Sequence, residues 1–168
     1  MYRNPELVLA AKAIIASDGK KYAGTDFLQD FKVQSFFINF SKDFFLKQMQ
    51  SDLTSWGIDF DRWFSEKSLL TKAKLATFLA RLKAKQLTYE KDGALWVNLD
   101  ANDPSQDFVL LKKSGETTYF VGDIMYHIDK FERGYDHIIN IFGADHHHHY
   151  LKLRAVLAKL NYDEIGRA

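Results

Sequence analysis

The stretch Ile138-Ile139-Asn140-Ile141-Phe142-Gly143-Ala144-Asp145-His146-His147 decides how this chain is read. Its first five residues form a compact apolar run, which suits a strand buried on both faces in a parallel sheet covered by helices. Upstream, Ile124, Ile128 and Phe131 recur at helical spacing after Gly122, and downstream Leu153, Val156, Leu157 and Leu160 do the same. The order is helix, strand, helix, so the expected fold class is α/β. In open α/β sheets ligands gather beyond the carboxyl ends of strands, which puts Gly143 and Asp145 where chemistry is expected. Glycine lets backbone approach a ligand, and a nearby carboxylate can accept the two hydroxyl protons of a ribose. An aspartate at such a junction is equally suited to cap the next helix. The local pattern leaves both readings open.

Working outward, Leu87-Thr-Tyr-Glu and Ala94-Leu-Trp-Val-Asn-Leu99 flank Lys91-Asp92-Gly93 and predict a hairpin, because Asp-Gly favours the turn that matches strand twist. Phe108-Val-Leu-Leu and Thr117-Thr-Tyr-Phe, joined through Lys112 to Glu116, predict a second. Three helices are expected before them. Asn4-Pro5 opens the first, which carries Leu7, Ala11, Ile14 and Ile15 and ends at Asp18-Gly19. The second carries Phe37, Phe40, Phe44, Phe45, Met49, Leu53 and Trp56 on one face, and a stripe of this kind is read as buried core. The third carries Leu75, Phe78, Leu79 and Leu82 inside, with Lys72, Lys74, Arg81, Lys83 and Lys85 outside. Its basic side is read as a solvated face, with an RNA contact as the competing reading. Residues 1–86 are thus expected to be mainly helical, and residues 87–168 to hold the hairpins and the parallel strand.

The chain has 168 residues, 46% hydrophobic, 15% aromatic and 27% charged, which excludes a disordered polar segment and fits one domain. A net charge of +1 gives no whole-molecule field for nucleic acid or acidic membrane. The absence of cysteine removes disulfides, thiolate nucleophiles and Cys-ligated zinc. No apolar run approaches the roughly 18 residues needed to span a bilayer, and Met1-Tyr2-Arg3-Asn4-Pro5 lacks a signal-peptide layout. A cytoplasmic location without membrane association is expected.

Besides Gly143 and Asp145, two groups of residues carry chemistry. Tyr119 and Asp123 stand four apart across an expected strand-to-helix turn. A carboxylate beside an aromatic oxygen suits a guanidinium, whose planar fork pairs bidentately with carboxylate and stacks on rings. Hydrogen bonds of this charged type contribute about 1.5–3 kcal/mol each, and a second acid, Glu66, would add selectivity against an ammonium. Asp123 as a helix cap and Tyr119 as strand filler remain an open alternative. The run His146 to His149 with Asp145 offers metal ligands and resembles the Asp-His-His motif of the DHH phosphoesterases. That family carries further strand-end aspartates, whereas Asp59-x-Asp61 sits in a loop here, and consecutive side chains on a helix turn cannot all meet one ion. No Walker loop or GxGxxG is present.

The segment Gly115-Glu-Thr-Thr-Tyr119-Phe-Val-Gly-Asp123-Ile-Met-Tyr-His127-Ile-Asp-Lys130-Phe-Glu-Arg133-Gly-Tyr-Asp136-His-Ile-Ile-Asn140-Ile-Phe-Gly143-Ala-Asp145-His-His147 resembles the second half of the class I arginyl-tRNA synthetase catalytic domain. Upstream, Gly57-Ile-Asp-Phe60-Asp61-x-Trp63-x-Ser65-Glu66 and Tyr89-Glu-Lys-Asp92-Gly93-Ala94-Leu-Trp96 resemble the preceding stretch of that family. The match is collinear over nearly the whole chain. It implies a single interior piece of the catalytic domain, with part of a Rossmann-like parallel sheet, β-hairpins and a helical insertion. The implied activity is ATP-dependent activation of L-arginine and its transfer to tRNA(Arg). By position, Glu66, Tyr119 and Asp123 would line the arginine pocket, and Gly143, Asp145 and His146 would lie near the adenylate. ATP enters as a substrate, with Mg2+ expected in the full enzyme and no permanently bound group. A monomer is expected.

Two departures stand out. His148 occupies a position where the family motif Gly-Ala-Asp-His-His-Gly-Tyr has glycine. The class I signatures resembling His-Ile-Gly-His and Lys-Met-Ser-Lys are both missing from the sequence. Because those groups stabilise the developing phosphate charge, no adenylation is expected from this chain alone. The alternatives are a non-catalytic arginine- or nucleotide-binding module and a DHH-like metal phosphoesterase.

Overall fold

In a computed structural model the described residues are 5–25, 29–100, 102–135, 137–141, 143 and 147–162, with the backbone alone described at 147. They divide into two units, Met1–Trp63 and Phe64–Ala168.

The first unit holds α1 (Pro5–Asp18) and α2 (Phe31–Ser55). Asp30 sets the start of α2, its carboxylate accepting from the backbone N–H groups of Lys32 at 2.9 Å and Val33 at 3.2 Å. Phe36, Phe40 and Phe44 follow one another along α2 with ring centroids 5.9 and 6.3 Å apart, and Tyr22 stacks on Phe36 at 4.5 Å. The core reading of this stripe needs correction, because no residue of α2 is fully buried. The helix is long, and its apolar side chains reach half-burial at Phe37, Phe40, Phe44 and Phe45 while Phe31 and Trp56 remain 78% exposed.

The second unit begins with a 3-10 turn over Glu66–Ser68 and α3 (Lys72–Ala84), which buries Phe78 and Leu82. The first predicted hairpin is present as β1 (Thr88–Lys91) and β2 (Ala94–Val97), with Tyr89 opposite Trp96. Asp92 and Gly93, at φ of 54° and 77°, make the turn, a left-handed pair that Asp-Gly adopts at little cost. β3 (Phe108–Leu111) adds to the other side of β2, antiparallel, with a register shift between Leu95 and Trp96. The link from β2 to β3 is held by Asp107, which accepts from Leu99 N at 2.9 Å and from the Tyr89 hydroxyl at 2.8 Å. That hydrogen bond, ahead of burial and charge, raises the Tyr89 phenol above its ordinary value.

Two sequence expectations fail here. The second hairpin is reduced to a single bridge between Leu111 and Thr117, and Tyr119 and Phe120 belong instead to α4 (Tyr119–Glu132). The reason is packing: Phe120, Val121, Ile124, Met125 and Ile128 recur at helical period and are all buried, so the helix gains more apolar burial than an edge strand would. The parallel strand is also absent among the described residues. Residues 138–141 join no helix or strand, and Ile139 and Ile141 are 75% and 95% exposed. A strand exists only through a partner, and the three described strands pair antiparallel with one another. The sheet of this unit is therefore antiparallel, and the partial Rossmann-like arrangement is not seen in it.

The closing helix α5 (His147–Lys159) is present, and Leu153, Val156, Leu157 and Leu160 are buried in one cluster with α4, Leu82 of α3 and Val97 and Leu110 of the sheet. The basic side of α3 is only partly a solvated face. Arg81 donates to Leu160 O at 3.1 Å and to the Tyr162 hydroxyl at 2.9 Å. Lys85 donates to Lys159 O and to Asn161 Oδ1, each at 3.0 Å. Cations thus close the carboxyl end of α5, where free carbonyls and the helix dipole favour positive charge.

His127 is the buried polar residue of α4, 4% exposed. Its Nδ1 lies 2.8 Å from the Asp123 carbonyl oxygen, which only accepts, so Nδ1 carries the proton. Burial lowers the imidazole below its ordinary 6.5, against the opposing pull of that carbonyl.

Two predictions follow from this packing. Arg81→Ala leaves the Leu160 carbonyl and Tyr162 without their donor and should cost about 1–2 kcal/mol, read as a lower urea midpoint at constant m-value. For His127, the unfolded chain binds more protons than the folded one between the lowered folded value and 6.5. Stability is therefore full above 6.5 and declines as the pH falls through that window. Comparing urea midpoints from pH 7.5 to 5.5 should show a shallower decline in His127→Gln, and parallel curves would refute this.

Candidate functional site

The candidate site is built on the first two turns of α4. With 3.6 residues per turn, Tyr119, Gly122, Asp123 and Tyr126 share the side opposite Val121, Ile124 and Ile128. Packing of the apolar side therefore turns Tyr119 and Asp123 outward together. The helix corrects the expected geometry: the phenol and the carboxylate stand one turn apart on a single helix, not across a strand-to-helix turn. Thr118 sets the entry, its backbone N–H bonded to Leu110 O at 2.9 Å and its hydroxyl to Val109 O at 2.7 Å, which ties the helix start to β3. Asp123 is inside the helix, so it is not the cap.

Glu66 arrives from outside the helix. Phe64 stacks on Tyr126 with centroids 4.7 Å apart and planes at 15°, which fixes the segment entering the 3-10 turn against α4. The Glu66 carboxylate then rests on Gly122, and a Cβ at that position would collide with it. Gly122 is a contact requirement of this site: any side chain there displaces the acid. Glu66, Tyr119 and Asp123 are thereby gathered at one turn of α4. They are open to solvent, with Tyr119 71% exposed and the Asp123 side chain 37%.

Sequence reasoning missed two members of this group. One is Gly122. The other is His149 of α5, whose Nε2 lies 2.7 Å from Asp123 Oδ2 and whose ring stacks on Tyr119 at 5.3 Å and lies tilted against Phe120 at 4.2 Å. No local spacing signals a pair 26 positions apart. Behind the site, Lys130 lies over the Tyr126 ring at 4.4 Å and donates to Asn140 Oδ1 at 2.8 Å. Burial, then the neighbouring Arg133 cation, lowers its ammonium. Arg133 pairs with Asp129 at 2.9 Å and sits over Phe64 at 5.4 Å.

Of the residues assigned to the adenylate side, Gly143 is exposed in irregular chain, whereas Asp145 and His146 lie outside the described residues. His148 is exposed in the first turn of α5. Among the described residues no three His, Asp or Glu side chains gather to hold a metal ion, and no helix is long and apolar enough to cross a membrane. A surface depression of about 300 Å³ is lined by Tyr89, Lys91, Asn98, Asp100, Pro104 and Asp107, none of them on α4.

Comparison with known proteins bears on all of this. Residues 14–166 match the family described as tRNA synthetases class I (R), catalytic domain. An arginine–tRNA ligase of Syntrophotalea carbinolica is 37% identical over 160 residues, covering 95% of this chain and 28% of that protein. One of Shouchella clausii is 37% identical over 166 residues, covering 96% and 29%. A crystal structure described as an arginyl-tRNA synthetase of Campylobacter jejuni superposes with a TM-score of 0.82 at 31% identity, over 96% of this chain and 34% of that one. The chain thus spans under a third of the length of these curated relatives. Collinear identity across both units, together with a shared fold, leaves one conclusion: the chain belongs to the class I arginyl-tRNA synthetase family and matches its catalytic domain.

Proposed function

We propose that this chain supplies the arginine-recognition part of an arginine–tRNA ligase, which activates L-arginine with ATP and transfers it to tRNA(Arg). The observation that carries the reading is the gathering of Glu66, Tyr119 and Asp123 at one turn of α4. A guanidinium is planar, permanently cationic and donates five N–H bonds in fixed directions, and two carboxylates and a phenol from two elements offer it several acceptors and a net negative charge. A lysine ammonium is a point charge with three donors and satisfies fewer of these acceptors. Family membership supports the same substrate, since the relatives are named for arginine.

ATP is the co-substrate in this reading, with Gly143, Asp145 and His146 on the adenylate side and Mg2+ accompanying the nucleotide in the whole enzyme. The described residues provide no cluster for a divalent cation, so none is assigned to hold it. The sequence carries neither class I signature, and the charge that develops on the phosphate lacks its stabilising histidines and lysines. No adenylation is therefore expected of the chain alone. The enzyme acts as a monomer in the cytoplasm.

Two measurements test this. Arginine titrated into the protein and followed by NMR should shift Tyr119, Asp123 and Glu66 signals, and citrulline, uncharged but otherwise alike, should not. Gly122→Ala should weaken arginine binding about tenfold while the thermal midpoint holds or rises, because alanine favours the helix and the displaced acid is a flexible side-chain end. Equal shifts with citrulline would remove the guanidinium reading. Separately, arginine-dependent exchange between ATP and pyrophosphate should be at background for this chain, and measurable exchange would show that the signatures are dispensable.

A further inference from the structure

We infer that His149 is a positioning residue of the arginine site, one that orients two of the three exposed readers of the guanidinium, Asp123 and Tyr119; the inference rests on the function proposed above. The side chain of His149 is only 8% exposed, and the rings of Tyr119 and Phe120 lie against it. It is therefore held as core side chains are held. Two of the groups it touches are not: Asp123 is over a third exposed and Tyr119 is 71% exposed on the outer side of α4. Left to themselves, such side chains sample several rotamers, and a ligand that needs both in one arrangement must freeze them on binding.

His149 removes that freedom before the ligand arrives. A carboxylate only accepts, so Nε2 carries the proton in the 2.7 Å contact with Oδ2. This fixes the plane of the carboxylate and occupies one lone pair of Oδ2, leaving Oδ1 and the second lone pair of Oδ2 for guanidinium N–H donors. The stacked contact at 5.3 Å and 28° likewise holds the Tyr119 ring to one side of the imidazole. One buried side chain on α5 thus sets the direction of two acceptors on α4.

The test uses the full chain and three forms: unaltered, His149→Ala and His149→Gln. Arginine and lysine are titrated into each and followed by NMR, alongside thermal midpoints and the imidazole 15N spectrum. His149→Ala should weaken arginine about tenfold and lysine much less, so that preference for arginine falls. His149→Gln, whose amide N–H reaches the same oxygen, should recover part of it. The Nε2–H signal should move in Asp123→Asn. A purely structural histidine would lower the thermal midpoint and weaken both ligands equally, without rescue by glutamine. That result overturns the inference, as does an unchanged arginine preference in His149→Ala. If the unaltered chain shows no preference for arginine over lysine, the arginine reading itself falls and His149's role falls with it.

Discussion

The second unit depends on the burial of one side of α4. Phe120, Val121, Ile124, Met125 and Ile128 enter a single cluster with Leu153, Val156, Leu157 and Leu160 of α5, and with Leu82, Val97 and Leu110. Each such side chain contributes roughly 1.5–3 kcal/mol on burial, and with a dozen of them in the cluster their sum exceeds what the few polar contacts of the site supply. The rotation of α4 about its axis is set by this cluster and by nothing at the surface. Tyr119, Gly122 and Asp123 are where they are because their neighbours in sequence are apolar at the right period. The site is the solvent side of a packing decision.

That constraint explains why the acceptors can be so exposed and still be ordered. Carboxylates gain nothing from deep burial, which penalises their charge, but an exposed carboxylate on a mobile support recognises poorly. Here the support is rigid and the charges are at its edge. Phe64 on Tyr126 brings Glu66 to the helix, and the missing side chain at Gly122 lets it come close. His149 reaches the same turn from α5. The three approaches come from residues 64–66, 119–123 and 149, and the hydrophobic cluster is what makes them neighbours.

How much of this was legible in the sequence follows from the range of each interaction. The five helices and the Asp92-Gly93 hairpin are local, written in period and turn chemistry, and they are present. Thr117-Thr-Tyr119-Phe120 reads as a strand by propensity, yet the helical period that begins at Phe120 outweighs it, because burial of a whole face exceeds the preference of four residues. Glu66, Tyr119 and Asp123 were nameable because chemistry selects oxygen-bearing side chains and the family resemblance aligns them. Gly122 and His149 were not. A glycine within a helix gives no sign of what rests on it, and the His149 contact spans 26 residues between two helices.

The segment 138–141 shows the same limit from the other side. Ile138-Ile-Asn-Ile141 has the composition of a buried parallel strand, but composition states only what a segment can do when a partner is supplied. Among the described residues Ile139 and Ile141 face solvent, and Asn140 accepts from Lys130. Helices satisfy their backbone internally, so α4 and α5 form wherever their apolar faces find cover. Strands satisfy theirs externally, so a strand's existence is a property of the pair. It follows that the helical scaffold carrying Tyr119, Asp123 and His149 is self-determined in a way that the segment 138–141 is not. The proposed arginine site can therefore be argued from this chain's own packing.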